Sequence, residues 1–183
     1  MYLCGTIIMT TLYLVRHGET VDNVAQIMQG QRQGQLTQAG RAQIEALADA
    51  LSDVHFDAIV SSDLKRSYDS ARILADRRNM EVCTTTLLRE RDWGNFTGRY
   101  IPDLKDIPFP ENVEKMEDLL ERARAFLEWI CTHYADITVI AVGHGIINKA
   151  IQAVHYGKLT REIPRMGNAE YRILKVQAPG LYI

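Results

Sequence analysis

Two apolar, β-rich runs, Leu12-Tyr13-Leu14-Val15 and Ile137-Thr138-Val139-Ile140-Ala141-Val142, end in the same way, with a His beside a Gly. Runs of this kind read as strands buried on both faces, which requires helices above and below them. The chain between and after them supplies those helices. Ile44, Leu47, Ala48 and Leu51 mark one face of a helix over about 40–52, and a strand over 56–61 precedes a second helix over about 63–78. Asp63 is placed to interact with the N–H groups that begin that second helix. Residues 81–87 read as a third strand. Val113, Met116, Leu120, Ala123, Leu127 and Ile130 then recur every three or four positions, the stripe of a long amphipathic helix. A helix from Gly145 to about Tyr156 and a strand over 171–176 complete the series. Alternation of this sort predicts an α/β layered domain, with the 137–142 strand central.

In such a sheet ligands gather beyond the carboxyl ends of the strands. Arg16 and His17 follow the first strand, Ser61 and Ser62 end the second, Glu90 follows the third, and His144 ends the fourth. The spacing therefore brings them to one rim. Arg16 offers a planar fork of donors suited to phosphate oxygens, and His17 is a nitrogen nucleophile that can be uncharged at neutral pH. Gly18 lets the backbone turn sharply and its N–H approach an oxyanion. His55, His133 and His155 lack such company and are expected to be structural or exposed.

Four ordered blocks resemble the signature of the histidine phosphatase, or phosphoglycerate mutase-like, superfamily. They are Arg16-His17-Gly18-Glu19-Thr20, Ser61-Ser62-Asp63-Leu64-Lys65-Arg66-Ser67, Leu88 to Gly98, and Val142-Gly143-His144-Gly145. The Asn168-Ala169 region is similar as well. The resemblance implies a three-layer α/β/α fold, its central sheet mostly parallel with an antiparallel last strand. It implies that Arg66 binds phosphate, that Glu90 is the acid, and that His144 is the second histidine. Phosphoryl transfer needs donors around the equator of the group and an in-line nucleophile. Arg16, Arg66, His144, the Asn23 amide and the Gly145 N–H are the candidate donors, with His17 as nucleophile and a backbone carbonyl expected on its other ring nitrogen. Glu90 would protonate the leaving oxygen and then activate water, and Trp93 is the expected apolar neighbour favouring its neutral form. No metal or cofactor is called for. The chain lacks a His-x-His or His-x-x-x-His pair, and two arginines would repel a divalent cation.

Length and composition fit one domain spanning 1–183: 183 residues with 46% hydrophobic content can bury a sizeable core. A net charge of −2 gives no general attraction to nucleic acid or anionic membrane, so a small phosphorylated metabolite is the expected partner. The sequence leaves the oligomeric state open. Three scattered cysteines, Cys4, Cys83 and Cys131, fit reduced thiols and a cytoplasmic location. Residues 1–8 resemble no signal peptide and are expected to be a dispensable extension. Residues 98–112 contain Pro102, Pro108 and Pro110 and form an excursion over the site, with Arg99 and Lys105 its sole positive charges. Phosphoglycerate mutases of the family usually carry a longer, more basic segment there. A short cover favours release to water, and hence a phosphatase acting on small esters such as sugar phosphates or ribazole phosphate. Phosphoglycerate mutase is the alternative, and a non-catalytic phosphate-binding module a more distant one.

Overall fold

The computed structural model describes residues 9–177. Among these, five strands form one sheet: β1 (Met9–Arg16), β2 (Ala58–Ser62), β3 (Val82–Thr85), β4 (Thr138–Gly143) and β5 (Tyr171–Gln177). Their spatial order is β3-β2-β4-β1-β5. All neighbours run parallel except β5, which pairs antiparallel with β1 and closes one edge. The apolar 137–142 run is therefore the central strand.

Helices α1 (Val21–Val24), α2 (Gln38–Ala50), α3 (Lys65–Asp76), α4 (Met116–His133) and α5 (Gly145–Tyr156) complete the fold. Strand alternation sorts the core into two layers. Leu12, Leu14, Val139 and Ala141 pack with Leu119, Phe126 and Ile130 of α4 and Ile147 and Ile151 of α5. Val15, Ile140 and Val142 face the other way, onto Ile44 and Leu47 of α2 and Leu74 of α3. Each fully buried side chain of this size stabilises by roughly 1.5–3 kcal/mol relative to exposure. The two faces of β1 and β4 thus hold both helix layers to one rim.

Several boundaries differ from the sequence reading for identifiable reasons. Helix α2 starts at Gln38 because the Thr37 side chain accepts from Gly40 N at 2.9 Å. Strand β3 stops at Thr85, whose hydroxyl accepts from Leu87 N and turns the chain into a single 3₁₀ turn over Thr86–Leu88. Asp63 does not cap α3: it forms a two-pronged ion pair with Arg89, and the Ser62 hydroxyl takes the Leu64 N–H instead. Val113 is buried but lies ahead of α4. Cys83 is exposed and Cys131 buried, both free, while Cys4 and residues 1–8 lie outside the described residues. Among the described residues no helix is long and apolar enough to cross a membrane.

Candidate active site

The register of β1 against β4 creates the site. Arg16 pairs with Gly143, and the His17 N–H donates to the Gly143 carbonyl at 3.1 Å. The two histidines that follow these strands are consequently neighbours, their rings edge-on with centroids 5.1 Å apart. Both are buried. His17 Nδ1 donates to the Gly18 carbonyl at 2.7 Å, which fixes the tautomer and leaves Nε2 with the lone pair. Burial, and next the charge of Arg66, holds the His17 pKa well below 6.5, with Arg16 acting in the same direction. The same burial and Arg66, joined by His17, Arg16 and Arg122, depress that of His144. Gly18 serves a different purpose from the expected one. Its N–H donates to Ser70 Oγ at 3.2 Å, and a Cβ there would collide with the carbonyl of Gly40. The turn after β1 thus packs backbone to backbone on α2.

Two guanidinium groups complete the cradle. Arg16 donates through Nη1 to the Met166 carbonyl at 2.7 Å. Arg66, in the first turn of α3 and 1% exposed, donates through Nη2 to the Gly30 carbonyl at 2.8 Å and through Nη1 to that of Arg32. Each is anchored on neutral carbonyls, so its positive charge is left uncompensated by hydrogen-bonded carboxylates. Burial lowers the pKa of both, that of Arg66 to about 10. Nε of each arginine and both ring nitrogens of His144 are buried without a protein partner. Buried donors of this kind are costly unless a ligand takes their bonds. The Asn23 carbonyl oxygen is committed to Thr20 N and to the Asn168 amide, which leaves its own NH₂ available.

Glu90 is held differently. Its Oε1 accepts from the N–H groups of Arg91 at 2.9 Å and of Ile146 and Ile147 at 3.1 Å, and Oε2 receives one contact, from Ile146 at 3.2 Å. The carboxylate therefore sits on the N-terminus of α5. Its loop is braced from below by Arg122, which donates to the Leu87 and Arg89 carbonyls at 3.0 and 2.6 Å and, at 3.4 Å, to that of Glu90. Arg122 also pairs through two nitrogens with Glu114, whose carbonyl accepts from Arg91. The Glu90 carboxylate meets backbone donors, and Trp93 lines the same cavity, its indole under the Arg91 guanidinium and edge-on to Phe109.

Arg16, His17, Asn23, Arg66, Glu90, Trp93 and Gly145 line one cavity of about 260 Å³. His144 lies beside His17 within the buried wall. The scale suits a small metabolite. Ile101, from the 98–112 excursion, also reaches this cavity. Gln29, Lys149 and Arg165 line it too, although the sequence motifs gave no sign of them. Lys149 was open to inference, since it follows Gly145 by four residues on a helix that starts at the site. A hollow of about 580 Å³, bordered by residues 52–57, Arg78 and Met80, lies before β2; His55 faces Asp57 there at 3.2 Å, and neither arginine of the cradle reaches it. His55 and His133 are exposed and His155 half-buried, all away from the cradle. Among the described residues no three His, Cys, Asp or Glu side chains cluster to hold a metal ion.

The profile of the histidine phosphatase superfamily (branch 1) matches residues 12–182. This chain belongs to the histidine phosphatase superfamily. Its relatives include a glucosyl-3-phosphoglycerate phosphatase of Mycobacterium tuberculosis, 32% identical over 92% of this chain and 87% of that protein. A metal-independent phosphoserine phosphatase of Arabidopsis thaliana is 33% identical over 82% of this chain and 72% of its own length. A solved structure of the mycobacterial glucosyl-3-phosphoglycerate phosphatase in complex with VO3 superposes with a TM-score of 0.81 at 29% identity, covering 92% of this chain and 98% of that one. As a histidine phosphatase, the protein is a phosphoric monoester hydrolase acting on small phosphorylated substrates, and the mutase alternative is less supported.

Proposed function

We propose that hydrolysis proceeds through a phosphohistidine on His17. The observation that carries this reading is the buried, neutral His17, its Nδ1–H fixed on the Gly18 carbonyl and its Nε2 lone pair beside two uncompensated guanidinium groups. Arg16, Arg66, the Asn23 amide, the Gly145 N–H and a neutral His144 donating a ring N–H surround the equatorial oxygens. Nε2 attacks phosphorus and the bond to the ester oxygen breaks. Glu90 delivers the proton that oxygen needs, from Oε2, the oxygen with fewer backbone donors. The resulting carboxylate then takes a proton from water, whose oxygen attacks phosphorus as the P–N bond breaks. Phosphate leaves, and His17 and Glu90 return to their starting forms. Trp93 walls the space for the remainder of the ester. Residues 9–177 act as one domain, and the free thiols Cys83 and Cys131 support a cytoplasmic setting.

The test is His17→Ala. Turnover of p-nitrophenyl phosphate is expected to fall on the order of ten-thousand-fold or more, as for loss of a covalent nucleophile. Acid-labile, alkali-stable phosphate trapped on the unsubstituted protein is expected to vanish in the variant. A variant that turns over normally would refute the covalent route.

A further inference from the structure

The face of α5 turned toward β1 carries two buried amides, Asn148 and Gln152, one helical turn apart. Neither lines the cavity. Asn148 Nδ2 donates to the Val15 carbonyl at 2.9 Å, and the sulfur of Met166 lies 3.9 Å from the same nitrogen. Gln152 Nε2 donates to the Asn148 carbonyl at 3.0 Å and to the Met166 sulfur at 3.4 Å. A carbonyl and a thioether only accept, so the Asn148 amide must turn its NH₂ toward them. Its Oδ1 then faces Gly143, where an added Cβ would collide with it, and is buried without a hydrogen-bond partner. An unpaired buried acceptor costs free energy that a leucine of similar volume would avoid. The amide supplies direction rather than cohesion.

What that direction reaches is Arg16. The Val15 carbonyl belongs to the peptide group that joins Val15 to Arg16, and the N–H of that group donates to the Glu170 carbonyl at 3.0 Å. At the far end of the side chain, Arg16 Nη1 donates to the Met166 carbonyl at 2.7 Å. The two amides of α5 thus contact both supports of Arg16, its backbone and the residue that anchors its guanidinium. A long side chain has much rotamer freedom to lose, and holding both ends aims the fork before a phosphate arrives.

We propose that Asn148, backed by Gln152, is a positioning residue for phosphoryl transfer, acting through Arg16 without reaching the cavity. The inference rests on Arg16 holding phosphate, as in the reading above.

Asn148→Leu keeps the volume and removes the donor. Binding of inorganic phosphate, followed by calorimetry, is expected to weaken by about 3- to 10-fold, and kcat on p-nitrophenyl phosphate to fall by a similar factor. In protein that already carries Arg16→Ala, the same substitution is expected to change phosphate binding by less than about twofold, because the group it acts through is gone. Gln152→Leu, which leaves the Asn148–Val15 bond in place, is expected to show the same coupling with a loss of about 2- to 3-fold. A purely structural role would instead lower resistance to urea and leave phosphate binding and kcat per folded molecule unchanged. That result, or equal losses with and without Arg16, would overturn the proposal. If Asn148→Leu does not fold, Gln152→Leu decides by the same criterion. Arg16→Ala alone is expected to weaken phosphate binding by about tenfold or more. If it does so while the α5 variants have no effect, the positioning role fails alone. An unchanged affinity in Arg16→Ala would refute the reading of Arg16 as a phosphate donor and take the inference with it.

Discussion

Arg16, His17 and His144 stand at the ends of strands hydrogen-bonded to each other, whereas Glu90, Trp93 and Arg165 stand on connecting segments held by side chains. In the cradle, sheet register sets positions, and burial sets the protonation states of the histidines. Over the cradle, position depends on long side chains. Arg122 holds three carbonyls of the acid loop, and Arg91 holds the carbonyl of Glu114. A site divided in this way can change what it accepts by altering the cover while His17 stays fixed.

The division breaks most plainly at Glu90. Glu90→Gln is expected to slow hydrolysis of alkyl phosphates by roughly a hundred- to ten-thousand-fold, the usual worth of general acid catalysis, with a far smaller loss on p-nitrophenyl phosphate. Equal losses would place Glu90 in the cradle's function of holding phosphate. Arg122→Lys probes the brace, because an ammonium cannot reach three carbonyls and a carboxylate together. A loss of about tenfold is expected on alkyl phosphates, with little on p-nitrophenyl phosphate, since displacing a catalytic group by a fraction of an ångström impairs the step that uses it. If both substrates slow equally, cradle and cover are mechanically one unit.

The smallest effect is on stability. His17 and His144 have native pKa values below the unfolded value near 6.5, so the unfolded chain binds more protons at mildly acid pH. Their contribution is therefore full above about pH 6.5 and is lost as pH falls below it, at up to about 1.4 kcal/mol per pH unit for each histidine until the native pKa is reached. Urea unfolding at pH 7, 6 and 5 is expected to show this slope, and His144→Gln to reduce it by about half. Arg165→Gln, in the cover, is expected to leave the slope unchanged.

The contrast also marks how much the sequence disclosed. Both strands of the cradle were legible because they are apolar on both faces, and the residues after them were legible because a strand end points its side chains at one rim. Arg66 and Glu90 were placed by resemblance and lie in the cavity with His17. What escaped depends on contacts between distant segments. Asp63 has the composition of a helix cap, yet Arg89 lies close enough to claim it. The partners of Trp93, the Arg91 guanidinium and the Phe109 ring, come from its own loop and from the later excursion. Positive charge was sought in residues 98–112, whereas Lys149 and Arg165 bring it from after β4.

The bond from His17 N to the Gly143 carbonyl joins positions far apart in the chain. β1 is synthesised well before β4, and closure of so long a loop is entropically slow. An emerging chain that already displays Arg16, His17 and Arg66 still lacks the strand that aligns them. Alignment of these residues therefore waits for β4 to join β1, so the appearance of turnover is expected to report that this long-range strand pair has formed.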